Sequence, residues 1–181
     1  MNTIFRHSKF VALLLCLCLK PGFSHAQLNV GPQFVLPVEG FGDHIQWGFG
    51  AGILMEVPVI KPVSFVGHFD YIHWMIDKTQ DENLRLNTVA YQAGIRLYPS
   101  RKIYIQGWGG GFQIYAATKI YGIETSGSDS EYGWAIGAGF LPNRRTDLNL
   151  RLQSMGSLRF LALRLDHRFG VRKEKEQAAK Q

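Results

Sequence analysis

From Gln27 to Phe169 the chain alternates between apolar and polar or small residues with a period of two, the pattern of half-exposed β-strands. The clearest case is near the end: Leu161, Leu163, Leu165 and Phe169 share one face, and Phe160, Ala162, Arg164, Asp166 and Arg168 share the other. The segment before it sets Leu148, Leu150 and Leu152 against Asn149, Arg151 and Gln153. Read this way, the chain predicts eight strands, at 27–36, 45–56, 63–75, 86–98, 102–116, 132–141, 146–154 and 159–170. In a soluble sandwich such alternation separates core from water. In a membrane barrel it separates lipid from lumen. Period alone fits both.

A repeat organises the strands. Phe49-Gly50-Ala51-Gly52-Ile53 returns as Tyr91-Gln92-Ala93-Gly94-Ile95 and as Ile136-Gly137-Ala138-Gly139-Phe140, at spacings of 42 and 45 residues. Each copy runs on to a proline, Pro58, Pro99 or Pro142, which is expected to end a strand at a tight turn. The connections alternate in character. Val57–Pro62, Pro99–Lys102 and Pro142–Asp147 are short, whereas Ile76–Arg85 and Ala117–Glu131 are longer and polar. Short turns on one side and long loops on the other is the asymmetry of outer-membrane barrels. With an even strand number both termini fall on the short-turn side, together with Lys61, Arg101, Lys102, Arg144 and Arg145.

The two faces differ sharply. One carries Trp47, Phe49, Ala51 and Ile53, then Val89, Tyr91, Ala93, Ile95 and Leu97, then Tyr132, Trp134, Ile136, Ala138 and Phe140. The other is mostly small or polar: Gln46, Gly48, Gly50, Gly52; Thr88, Ala90, Gln92, Gly94; Gly133, Ala135, Gly137, Gly139. Large apolar groups outside and small ones inside suit an eight-stranded barrel, whose interior only just holds side chains. A lipid carrier of lipocalin type needs the reverse. The inner face also collects Glu56, His68, Asp70, Arg96, Arg151, Arg164, Asp166 and Arg168. A charge facing lipid at the midplane costs about 2–4 kcal/mol, so these groups are expected to pair inside as a charge network filling the lumen. Tyr71, Trp74, Tyr98, Trp108, Tyr115 and Tyr132 are expected to form an aromatic girdle.

The N-terminus changes the arithmetic. Arg6 and Lys9 precede an apolar run from Phe10 to Leu19, and Ser24-His25-Ala26 offers a small-x-small cleavage site before Gln27. These features read as a secretory signal peptide over 1–26, too short to span a bilayer. Its removal takes both cysteines, Cys16 and Cys18, and three basic residues, so a net charge of +6 falls to +3. The expected organisation is signal peptide 1–26, barrel 27–170 and a charged tail 171–181. No basic patch points to nucleic acid. A cysteine-free exported chain needs another means of closure, which a continuous β-ladder supplies.

A search for chemistry returns little. His44, His68, His73 and His167 are scattered, with no metal-ligand spacing. No nucleophile elbow or phosphate-binding loop is present, and Gly109-Gly110-Gly111 lies inside a strand. No catalytic residue, metal or cofactor is therefore expected. His73, near the top of the third strand, has serine candidates only at Ser126 and Ser128.

The signal peptide, the stretch Tyr91-Gln92-Ala93-Gly94-Ile95-Arg96-Leu97-Tyr98-Pro99 and the closing strand Leu161-Ala162-Leu163-Arg164-Leu165-Asp166-His167-Arg168-Phe169 resemble the small outer-membrane β-barrels of Gram-negative bacteria, of the OmpA/OmpX and porin-like kinds. The resemblance implies an all-β, eight-stranded antiparallel up-and-down transmembrane barrel in the outer membrane, in contact with lipid and lipopolysaccharide. It also implies that Phe169 is the terminal aromatic residue read by the barrel-assembly machinery, although Gly170 to Gln181 follow it. A structural or surface-interaction role is expected, with Ile76–Arg85 and Ala117–Glu131 offered to a protein partner. Two alternatives stay open: a soluble periplasmic or secreted β-barrel holding a hydrophobic ligand, and a lipid A-modifying enzyme.

Overall fold

Alternation in the sequence becomes alternation in exposure. Along the last strand Leu161, Leu163 and Leu165 face outward, while Phe160, Ala162, Arg164 and Asp166 are buried. A computed structural model describes residues 26–40, 45–76, 84–120 and 123–169. The expected signal peptide, except Ala26, the charged tail and most of the Ile76–Arg85 segment lie outside the described residues.

Eight strands follow one another: β1 (Gln27–Glu39), β2 (Ile45–Ile60), β3 (Val63–Ile76), β4 (Arg85–Leu97), β5 (Ile103–Ile120), β6 (Ile123–Phe140), β7 (Thr146–Met155) and β8 (Leu158–Phe169). Each pairs antiparallel with its neighbours in order, and β1 closes on β8, with Leu28 opposite Phe169 and Val35 opposite Ala162. The result is the expected all-β, eight-stranded antiparallel up-and-down barrel. Closure supplies partners for both edge strands without a disulfide.

Several expectations need correction. Pro58 does not end its strand: β2 continues to Ile60, with Pro58 opposite Ser64, so the turn shrinks to Lys61-Pro62. The loop expected over Ala117–Glu131 is instead a paired hairpin, with Ala117 opposite Ser126 and Thr118 opposite Thr125. Length expected as loop has gone into strand. Connections 121–122 and Gly156–Ser157 on the same end are short, so the asymmetry between ends lies in strand overhang more than in loop length. Gln46 is exposed, not inward, because the β2–β3 register shifts between Ile45 and Trp47.

The interior is layered. Towards the end holding the connections after β1, β3, β5 and β7 (the loop end), Val35, Ile72, Trp74, Ala90, Phe112, Met155, Phe160 and Ala162 form an apolar cluster. Phe160 stands edge-on to both Trp74 and Phe112, at 5.4 and 6.3 Å between ring centroids. A smaller cluster joins Leu54, Val66, Trp108 and Ala135. Charged groups occupy the rest of the lumen, towards the end holding both termini of the barrel (the turn end).

Glycines make room for the large side chains. A Cβ on Gly52 would fall 1.7 Å from Asp70 Oδ1, and one on Gly139 would fall 2.1 Å from Tyr104 Cζ. Small residues on one strand thus leave space for bulky inward groups on the next, which is how so narrow a barrel is filled.

Candidate functional site

Two groups of charged side chains are buried inside the barrel. In the first, near the turn end, Arg96 of β4 is the hub. Its guanidinium donates to Glu56 Oε2 at 2.9 Å, Asp147 Oδ2 at 3.1 Å and Gln106 Oε1 at 2.9 Å, linking four strands. It also lies 3.8 Å from the centroid of the Tyr104 ring, a cation–π contact. Tyr98 donates to Glu56 Oε1 at 2.6 Å, and Tyr104 donates to Asp147 Oδ1. Burial, the largest influence, pushes the Tyr98 phenol well above its ordinary range. Arg168 borders the group, 3.9 Å from Glu56 and donating to Gln27 Oε1.

The second group sits deeper. Asp70 of β3 receives Arg151 Nη2 on one oxygen at 2.6 Å and Arg164 Nη1 on the other at 2.8 Å. Arg164 Nε donates to Asp166 Oδ1 at 2.5 Å, and Arg151 Nη2 donates to Gln33 Oε1. His68 Nε2 faces Arg151 Nη1 at 2.8 Å and Arg164 Nη1 at 2.5 Å. Guanidiniums only donate, so this nitrogen is an acceptor and the imidazole is neutral with its proton on Nδ1. That atom lies 3.1 Å from Asp70 Oδ2. The imidazole stacks on Trp108 at 5.5 Å.

Arg96, Arg151, Arg164 and Arg168 are buried beside Glu56, Asp70, Asp147 and Asp166. With His68 neutral, four positive groups face four negative ones. Such balance is what a low-dielectric interior demands, since an unmatched buried charge is far costlier than a paired one. Above the charges, the Trp74–Phe112–Phe160 cluster stands between this network and the loop end. Among the described residues, charged and aromatic side chains occupy the inside of the barrel.

The structure brings Glu56 and Arg96 together with Arg168 at the edge, and brings Asp70, Arg151, Arg164 and Asp166 together in the deeper group. It adds Tyr98, Tyr104, Gln106 and Asp147, which sequence reasoning missed. The register held the signal: Asp147 is in phase with Asn149 and Arg151, and Tyr104 lies between the outward Ile103 and Ile105. Phe169 ends β8, half exposed and next to the His167 ring.

The aromatic girdle is corrected. Trp74 and Trp108 point into the barrel, with Trp74 Nε1 donating to Thr88 Oγ1 at 2.9 Å, and Tyr98 turns inward to Glu56. Tyr71, Tyr115 and Tyr132 do face outward. His73 Nδ1 lies 2.7 Å from Asn87 Oδ1, which also accepts from the Tyr71 hydroxyl at 2.8 Å. Its ring packs against Phe49. Among the described residues no group of His, Cys, Asp and Glu could hold a metal ion.

The outer wall is apolar around its whole circumference. Phe34, Ile53, Phe65, Phe69, Tyr91, Ile95, Ile105, Ile136, Leu150, Leu163 and Leu165 are all exposed. Beyond the wall, β5 and β6 overhang at the loop end. β7 reaches β6 only from Gly133, so among the described residues β6 pairs with β5 alone from Ile123 to Tyr132, and its other edge has no strand beside it. Gly156 N–H caps this edge at Tyr132 O, and Asp129 Oδ1 accepts the N–H of Ser130 at 2.8 Å.

No protein-family model matches the chain, and no curated protein matches it. Solved structures do. Ail, the attachment invasion locus protein of Yersinia pestis, aligns with a TM-score of 0.61 at 13% identity, over 80% of this chain and 97% of that one. The N-terminal β-barrel domain of Pseudomonas aeruginosa OprF gives 0.57 at 9% identity, over 79% and 97%. Neisserial surface protein A gives 0.53 at 13% identity, over 81% and 97%. The shared feature is the fold, a closed eight-stranded barrel of the small outer-membrane kind.

Proposed function

We propose that this chain is an integral outer-membrane barrel with a filled lumen and a structural or surface-interaction role, whose exposed working surface is the β5–β6 hairpin. The observation that carries this reading is the inversion of the usual globular plan. Isoleucine, leucine and phenylalanine cover the outside, while paired arginines and carboxylates occupy the inside. An exposed apolar area encircling a closed barrel far exceeds what a soluble monomer tolerates, and lipid is the solvent that accommodates it. The barrel-like neighbour Ail has been solved as an outer membrane protein in a phospholipid bilayer nanodisc, which supports the same environment here. Export by the N-terminal signal, recognition of Phe169 by the barrel-assembly machinery and contact with lipopolysaccharide belong to this reading.

The interaction role rests on the overhang. A strand edge with unpaired backbone groups is a template for an added strand. Against the soluble-carrier alternative, among the described residues the charge network and the aromatic cluster lie where a carrier would hold its ligand. The lipid A enzyme alternative needs a nucleophile beside His73, whose described partner is Asn87.

The test is extraction followed by gel migration. The processed protein is expected to stay with the membrane after lysis, to need detergent for release, and to migrate differently before and after boiling. Recovery as a soluble monomer without detergent overturns the reading.

A further inference from the structure

Among the described residues, the turns at the turn end carry a basic rim. Lys61 in the β2–β3 turn, Arg101 and Lys102 in the β4–β5 turn, and Arg144 and Arg145 in the β6–β7 turn are all exposed. No acidic residue lies in these three turns. Among the described residues, the carboxylates nearest these turns, Glu56 and Asp147, turn inward and are held by Arg96, Tyr98 and Tyr104. The opposite end has a different balance: Glu39 pairs with Arg159 at 2.9 Å, and the overhang adds Asp129 and Glu131.

The cations directly border the lipid-like wall. Lys61 follows the exposed Val59 and Ile60, Lys102 precedes Ile103, and the Arg144–Arg145 turn follows Phe140. Side chains in that position sit where hydrocarbon gives way to head groups, and long basic chains lay their stems on apolar surface while the charge reaches the interface.

We infer that this rim binds anionic phospholipid head groups of the membrane leaflet at the turn end. The inference rests on the outer-membrane reading above. Five cations spread over three turns favour several lipids held as a ring more than one ligand in a pocket. A basic side chain near an anionic leaflet gains about fivefold in association per charge at low salt, and the gain fades as the Debye length shrinks.

The test uses the full chain in lipid nanodiscs of phosphatidylcholine mixed with phosphatidylglycerol, with the retained lipid shell counted by native mass spectrometry. Wild type is expected to enrich phosphatidylglycerol at least severalfold over the bulk mixture at low salt. Enrichment should fall towards unity near 1 M salt, where the Debye length is about 3 Å. The K61Q/R101Q/K102Q/R144Q/R145Q variant should lose it at all salt concentrations. Insertion of wild type with a lipid shell matching the bulk overturns this inference and leaves the membrane reading intact. Failure of wild type to insert into pure phosphatidylcholine discs overturns the membrane reading and this one with it. If the five-site variant does not fold, the wild-type salt series decides alone: enrichment unchanged near 1 M salt overturns the electrostatic assignment.

Discussion

Arg164 on β8 reaches across the lumen to donate to Asp70 on β3, Nη1 to Oδ1 at 2.8 Å, through a barrel wall in which those two strands are not neighbours. The other Asp70 oxygen holds Arg151 at 2.6 Å. One carboxylate therefore holds two buried guanidiniums, of which Arg164 also pairs with Asp166. Asp70→Asn is expected to lower unfolding stability by about 3–5 kcal/mol, the cost of leaving buried charge unmatched. Replacing the group together (Asp70→Leu and Asp166→Leu with Arg151→Met and Arg164→Met) should recover most of that loss, because every ion of the group is then removed with its partner and its desolvation is avoided. Urea unfolding of the reconstituted barrel, followed by gel migration, measures both. A single variant as stable as wild type would show that the pair is not energetically coupled.

The Tyr104 hydroxyl offers a finer test of the other charged group. It donates to Asp147 beneath the Arg96 guanidinium. Tyr104→Phe keeps the ring and its cation–π contact and removes only the hydroxyl. The expected loss is about 1–3 kcal/mol, typical of a hydrogen bond to a buried charged group. Tyr104→Leu should cost more, since the ring contact goes too. Chemical unfolding of both variants separates the contributions, and equal stabilities of the two would assign all of the effect to the hydroxyl.

Gly139 should resist even a methyl group. Its added Cβ would meet the Tyr104 ring at 2.1 Å. Gly139→Ala is expected to destabilise by about 1–3 kcal/mol through overpacking. The same change in a Tyr104→Leu background should be far milder. A double-mutant cycle reads this coupling directly, and strictly additive effects would mean the ring and the glycine do not share that space.

The outer wall can be probed with one charge. Ile136 is exposed, midway along the stretch of β6 that β7 covers. In a bilayer, Ile136→Arg is expected to cost about 2–4 kcal/mol. On a water-facing wall the same change would be nearly neutral. Folding equilibria in lipid vesicles measure the difference, with Arg144→Gln in the exposed β6–β7 turn as a comparison at the rim.

The strand set and the two-faced pattern were legible because one rule, period two, runs through nearly the whole chain. Glu56, Asp70, Arg96, Arg151, Arg164, Asp166 and Arg168 could be placed on the inner face from their phase alone. Trp74 and Trp108 could not, because the sequence rule assigns indoles to interfaces while packing assigns them to whatever space glycine leaves. Trp108 follows the inward phase of Gln106 and stacks on His68, so register outweighed residue type. The hairpin was hidden for another reason. Its Ser, Gly, Asp and Glu residues have loop-like composition, yet β5 offers a continuous partner and backbone pairing overrides the preference. The partners across the lumen were out of reach, since phase gives a residue's side of the wall and says nothing about which distant strand it faces.

Closure by β1 against β8 also imposes an order of events. The carboxylate of Asp70 is made long before the two guanidiniums that hold it, 81 and 94 residues further along. Glu56 and Arg96 meet across 40 residues, but their third partner, Asp147, arrives 51 residues after Arg96. Until the final two strands are in place, the early hairpins carry inward charges that have no mates and must stay hydrated. The network is thus an end-of-assembly lock: it can set only when the last strand finds the first. Contacts this distant in sequence make for slow folding, which leaves a water-accessible half-barrel as the species that precedes closure.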